Sequence, residues 1–212
     1  SGLWKEIDLP HDAIIGLKRD PANPSGMPGG YTQNSMLYYR KEFDCPIEWQ
    51  DKDVIAEFEG AYMNAEVLLN GNLITSHPYG YTSFFAKLTP YLKYGKKNVL
   101  LVTLNNLAQP SSRWYAGGGI YRHVRLHIGN EIHIRPWQFK VCTPEVSQES
   151  AEICFSANIT NLGNHSEQIS IRYDIFEKGT DVKVLSGKIA PLFLNESGDT
   201  LTEHSVCLKA PK

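Results

Sequence analysis

Histidines, carboxylates, glycines and loop aromatics are the groups in this 212-residue chain that could do chemistry. His11 stands beside Asp12, but neighbours on a strand point to opposite faces and do not form a metal pair; His11 reads as a turn residue bonded locally. His123 and His127 share one face of a period-two run with Arg125 between them, which reads as a solvated stripe. Asn195-Glu196 could supply a general acid, but it lies in Leu-Asn-Glu-Ser-Gly-Asp, a turn composition. A double displacement would also need a second carboxylate about 5–5.5 Å away. Gly117-Gly118-Gly119 could cradle a phosphate, yet such loops open a helix and this one opens a strand. A close backbone approach at the rim of a sheet fits better.

No nucleophile elbow or P-loop is present. Cys45, Cys142, Cys154 and Cys207 form no CxxC pair, so neither a zinc site nor a redox motif is indicated, and no disulfide pairing is favoured. Their plain reading is buried thiols acting as small hydrophobes. The expectation is no catalytic residue, no metal and no cofactor. What remains is a concentration of aromatic and planar polar groups beside strand ends: Tyr31, Tyr79, Tyr81, Arg113, Trp114 and Tyr115. An aromatic face with flat hydrogen-bonding neighbours suits a sugar; it equally suits a sandwich cap or an interface.

The elements that must position these groups are strands. Residues 4–9, 36–43, 54–59, 65–69, 73–76, 84–88, 98–104 and 120–128 follow strand patterns. Asn70-Gly71 accepts positive φ at both turn centres and predicts a tight hairpin. Thr89-Pro90 predicts one helical turn capped by Thr89. Residues 16–34 and 105–119 read as long loops, of a length often functional. Beyond a break at Gly129-Asn130, strands are expected at 131–135, 138–143, 151–159, 168–177, 183–189 and 202–208. With 11 Tyr, 8 Phe, 4 Trp, 17 Gly and 12 Pro, the composition fits short strands and turns rather than a helical bundle. The expected fold is all-β: a jelly-roll β-sandwich over 1–128, then an immunoglobulin-like β-sandwich over 129–212 that looks incomplete.

A formal net charge of −2 without a basic cluster argues against a nucleic-acid partner. No apolar run approaches the roughly 18–20 residues of a membrane helix. The chain opens Ser1-Gly2-Leu3-Trp4 with no leader pattern, so its compartment is not readable from that end.

Five segments, in order, resemble the amino-terminal part of glycoside hydrolase family 2, which holds β-galactosidases and β-glucuronidases. They are Ile7-Asp-Leu-Pro-His-Asp12; Tyr39-Arg-Lys-Glu-Phe43; Phe58–Val67 followed by Asn70-Gly71; His77-Pro-Tyr-Gly-Tyr-Thr-Ser-Phe84, with Tyr79 where the family pattern has Gly; and Ser112-Arg-Trp-Tyr-Ala-Gly-Gly-Gly-Ile-Tyr-Arg122, the most specific. The resemblance implies a jelly-roll sugar-binding (galactose-binding-like) domain, an immunoglobulin-like domain and then a TIM barrel carrying both catalytic glutamates, which would begin beyond Lys212. The chain is thus expected to be the non-catalytic part of a retaining β-glycosidase, inactive alone. Its partners would be a carbohydrate substrate and the barrel of the same chain, and homo-oligomerisation is left open. Family loops reach the barrel mouth near Ser112, Arg113 and Trp114, which are the expected substrate-binding residues. β-Galactosidases of the family can place a substrate-contacting Asp there; this chain has Ser112 or Arg113, so the sugar stays open. Asp20 and Asn23 mark the 16–34 loop as a second candidate. The resemblance also suggests a periplasmic or extracellular setting. The alternative function is a free-standing carbohydrate-binding module or lectin.

Overall fold

The computed structural model describes residues 4–33, 35–108 and 114–211, and the chain divides into two compact units between Ile128 and Gly129. Both units are all-β. Among the described residues the only helical pieces are 3-10 turns at Ile47–Trp49 and Thr89–Tyr91. No described helix is long and apolar enough to cross a membrane.

The first unit contains β1 (Met36–Cys45), β2 (Asp53–Phe58), β3 (Ala65–Leu69), β4 (Asn72–His77), β5 (Phe84–Lys87), β6 (Lys96–Asn105) and β7 (Val124–Gly129). They form two sheets, ordered β1-β6-β3-β4 and β5-β2-β7. Period-two alternation places Ala65, Val67 and Leu69 of β3 in the core while Glu66 is exposed. Val67, Leu69, Val102 and Leu104 from one sheet join Val54, Ala56, Phe58 and Ala86 from the other in a single buried cluster.

The β3–β4 hairpin turns on Asn70 at φ 52° and Gly71 at φ 87°, as the dipeptide predicts. The Asn70 side chain goes further. Its amide donates to Asn98 Oδ1 at 2.8 Å and to Tyr91 O at 2.9 Å, and its Oδ1 accepts from Val99 N. Asn98 is fully buried and spends its own amide on the Lys93 and Lys96 carbonyls. The network therefore fixes the hairpin to β6 without an unpaired buried polar group.

Four local expectations change. Residues 4–9 form no strand, because alternation makes a strand only where a neighbour completes the ladder. β2 is buried on both faces rather than half-exposed. Val54, Ala56 and Phe58 face the core, and the carboxylates of the opposite face find partners, Glu57 in His127 Nε2 at 2.7 Å and Asp53 in Lys87 Nζ at 3.8 Å. Thr89 does not cap its turn. Its hydroxyl accepts from Val54 N at 2.8 Å and donates to Asp53 at 3.2 Å, tying the turn to β2. Of the four thiols only Cys45 is buried; Cys142 and Cys207 are exposed and Cys154 is half-buried.

The second unit holds β8 (Ile132–Cys142), β9 (Ser150–Asn161), β10 (Glu167–Ile169), β11 (Arg172–Phe176), β12 (Lys183–Lys188), β13 (Leu192–Leu194) and β14 (Gly198–Lys209). The sheets are β14-β9-β8, β10-β13 and β11-β12, each paired antiparallel. A small core gathers Ala157, Ile159 and Leu194 with Ile132, Ile169, Ile171 and Leu192. The two strands expected at 131–135 and 138–143 are one strand, β8. Its register slips between Ile134 and Phe139, where Pro136 has no N–H to give and Trp137 takes φ 62°. The single strand expected over 168–177 is two, β10 and β11. Glu196 is exposed in the turn between β13 and β14.

Candidate functional site

Trp114 stands 63% exposed at the point where the glycine-rich loop begins. Ser112 and Arg113 lie outside the described residues. The loop that follows Trp114 is held by the segment carrying Asp12. Asp12 Oδ2 accepts from the Tyr115 hydroxyl at 2.6 Å, and Oδ1 accepts from Gly118 N at 3.2 Å and from Ile14 N at 2.9 Å and Ile15 N at 3.2 Å. The last two close an Asx turn, a habit of Asp that the local sequence permits. The first two reach across the unit. Backbone bonds run alongside, His11 N to Ile120 O at 2.8 Å and Ala13 N to Gly118 O at 2.7 Å.

This approach is too close for side chains. A Cβ on Gly119, whose φ is 141°, would come within 2.4 Å of both His11 O and Tyr39 Oη. Gly119 and Tyr62 exchange two backbone bonds on the other side of the loop. The triple glycine thus serves close backbone packing at a rim, as its position before a strand suggests. His11 is not bonded only locally: its Nδ1 meets the Tyr39 hydroxyl at 2.9 Å. Burial and the Asp12 carboxylate push the Tyr115 phenol well above its ordinary range, so it stays a proton donor. Burial likewise raises Tyr39.

Beyond the clamp, aromatic rings gather. Tyr81 packs edge-on to Tyr62 at 5.3 Å and to Tyr79 at 5.6 Å; burial pushes its phenol up, and the neighbouring Trp114 indole N–H, a donor only, acts in the opposite direction. Tyr79 and Tyr81 are 56% and 40% exposed, while Tyr62 beneath them is buried. Tyr121 donates to Gly80 O at 2.7 Å with the Arg122 guanidinium over its ring, so the loop carrying Tyr79 and Tyr81 is anchored from below.

Of the sequence candidates, Tyr79, Tyr81 and Trp114 come together. Tyr115 turns away to Asp12. Tyr31 closes its own loop, with its carbonyl taking Asp20 N and the Asn23 amide. Asp20 accepts from Ala22 N. The side chains of Asp20, Asn23, Ser25 and Thr32 therefore bond within their own loop. Sequence reasoning missed Asp12, Tyr62 and Asn106. Asn106 is buried and ties Tyr62 O and Met63 N to the end of β6. Only the Asx-turn half of the Asp12 role has a local signal.

The stripe on β7 is not merely solvated. Arg125 Nε donates to Glu59 at 2.7 Å, His123 lies 3.3 Å from the same carboxylate, and His127 meets buried Glu57. Among the described residues no group of three or more His, Cys, Asp or Glu could hold a metal ion. Arg125, and then His123, hold the Glu59 carboxyl below its ordinary value of 4.5. A lowered folded-state value means the unfolded chain binds the proton first, so stability is present above the ordinary value and lost as pH falls below it. The urea midpoint of the first unit is expected to drop between about pH 5 and pH 3. Glu59→Gln should flatten part of that slope; an unchanged slope refutes the assignment.

No protein-family model matches the chain, but individual known proteins are similar to it. It is 40% identical over 168 residues to β-galactosidase BoGH2A of Bacteroides ovatus, an alignment covering 79% of this chain and 20% of that protein. It is 28% identical to a β-glucuronidase of Bacteroides fragilis over 100% of this chain and 30% of that one. A glycosyl hydrolase family 2 member from Bacteroides cellulosilyticus superposes on the whole chain with a TM-score of 0.90 at 29% identity, matching 28% of that structure. The chain thus spans between a fifth and a third of these proteins' length. The region is one that glycosidases carry. The chain belongs to glycoside hydrolase family 2 and corresponds to the N-terminal portion of its members.

Proposed function

We propose that this chain is the non-catalytic N-terminal part of a retaining β-glycosidase that removes terminal β-linked sugars, most simply a β-galactoside. The first unit is read as a jelly-roll sugar-binding domain and the second as an immunoglobulin-like sandwich. A TIM barrel beyond them supplies the glutamate nucleophile and the glutamate acid/base. Ser112, Arg113 and Trp114 line the mouth of that barrel, where the indole face meets the sugar ring.

The observation that carries this reading is the exposed Trp114, neighbouring Tyr81 beside a loop clamped by Asp12. An exposed indole on a held loop loses little freedom when it meets a ligand. β-Galactosidase is preferred over β-glucuronidase because the 40% relative bears that name.

The test uses a longer chain in which this region is joined to its barrel. Nitrophenyl β-galactoside should be hydrolysed, with nitrophenyl β-glucuronide the poorer substrate. Trp114→Ala should raise KM about tenfold, about 1.4 kcal/mol of binding, with a smaller effect on kcat. The 212 residues alone should show no turnover. Saturable galactose binding by the isolated chain, lost with Trp114→Ala, would favour a binding module instead. Unchanged KM in the longer chain would remove Trp114 from the site.

A further inference from the structure

Three of the four cysteines share one face of the β14-β9-β8 sheet. Cys142 of β8 lies directly opposite Cys154 of β9, and Cys154 lies opposite Ser205 of β14. Cys207 pairs with Glu152, one step further along that same face. Directly opposed residues of an antiparallel pair have Cα atoms about 4.5–5.5 Å apart. That lies inside the roughly 4.4–6.8 Å window a disulfide requires. The diagonal pair Cys154–Cys207 stands at about 7–8 Å, outside it.

We propose that Cys142 and Cys154 are an oxidation site, closing to a cross-strand disulfide that staples β8 to β9. All four cysteines are reduced in this structure. The Cys154 sulfur contacts the Ser205 hydroxyl at 3.1 Å, on the β14 side. Rotation about its Cα–Cβ bond swings it toward β8, where Cys142 is exposed at the strand end and free to meet it. The oxidant is a small-molecule disulfide such as oxidised glutathione. The Cys154 thiolate attacks one glutathione sulfur, breaking that S–S bond, releasing one glutathione thiolate and forming a mixed disulfide. The Cys142 thiolate then attacks the Cys154 sulfur and releases the second glutathione. Two electrons pass from the protein to glutathione, and the two cysteine protons leave to solvent or to the released thiolates.

The experiment incubates the whole reduced chain, under native conditions, with oxidised glutathione, then counts free thiols after denaturation and maps peptides by mass spectrometry. The expected result is a fall from four free thiols to two, with the peptides of Cys142 and Cys154 joined and dithiothreitol restoring all four. Cys207→Ser should form the same bridge. Cys142→Ser should stop at a glutathione adduct on Cys154. Separate glutathione adducts on Cys142 and Cys154 in the unaltered chain, a Cys154–Cys207 link, or no loss of thiols would each overturn the proposal.

Discussion

Asp12→Ala is expected to destabilise the first unit by about 2–4 kcal/mol and to release the glycine-rich loop. The carboxylate accepts from four donors, two in its own turn and two, Tyr115 Oη and Gly118 N, about a hundred residues away in sequence. Hydrogen bonds to a charged group contribute about 1.5–3 kcal/mol each, and donors left without a partner in a half-buried site add a penalty. The contributions are not additive, since the four donors share two oxygens. Asp12→Asn keeps one oxygen for the Asx turn but offers an N–H₂ to a hydroxyl that was donating, so about half the loss should remain. Urea denaturation gives the energies, and amide exchange at Gly118 gives the location: its protection should collapse in Asp12→Ala. A cost under about 0.5 kcal/mol, the range of an ordinary surface change, would show that the clamp does not hold the loop. In a longer, active chain the same variant should raise KM through Trp114.

Phe58→Ala should cost the first unit about 3–5 kcal/mol. Phe58 is 1% exposed, ends the doubly buried strand β2 and stacks on Phe84 at 4.9 Å, which stacks in turn on His77 at 4.6 Å. Truncation removes the ring's transfer energy and leaves a cavity that rigid strands on both sides cannot fill. Leu201→Ala on β14 is the control: that side chain is 62% exposed, so its loss should stay within about 0.5 kcal/mol. Equal midpoints for the two variants would contradict the core placement.

Much of the β architecture is legible in the residues because its causes are local. The Asn70-Gly71 pair sets its hairpin through two positive φ angles that other residues avoid, and the alternation of β3 sets which face is buried. Trp114 and the two tyrosines at 79 and 81 are visible as loop aromatics, but nothing in their spacing says that they meet. Other features resist because their causes lie elsewhere in the chain. Residues 4–9 carry the alternation of a strand but lack a ladder. Thr89 has the type of a cap but spends its hydroxyl on β2. His11 and Asp12 read as turn residues, and so they are, until Tyr39, Tyr115 and Gly118 arrive from distant segments.

The amino-acid order alone settled the all-β class and the close packing of the glycine-rich loop, since pleat period and turn chemistry act between neighbours and need no partner. Folding in three dimensions decided what each polar side chain does. A carboxylate such as Asp12 or Glu57, once half-buried or buried, takes its role from whichever donors the topology delivers, and the free energy of leaving it unpaired makes that delivery binding.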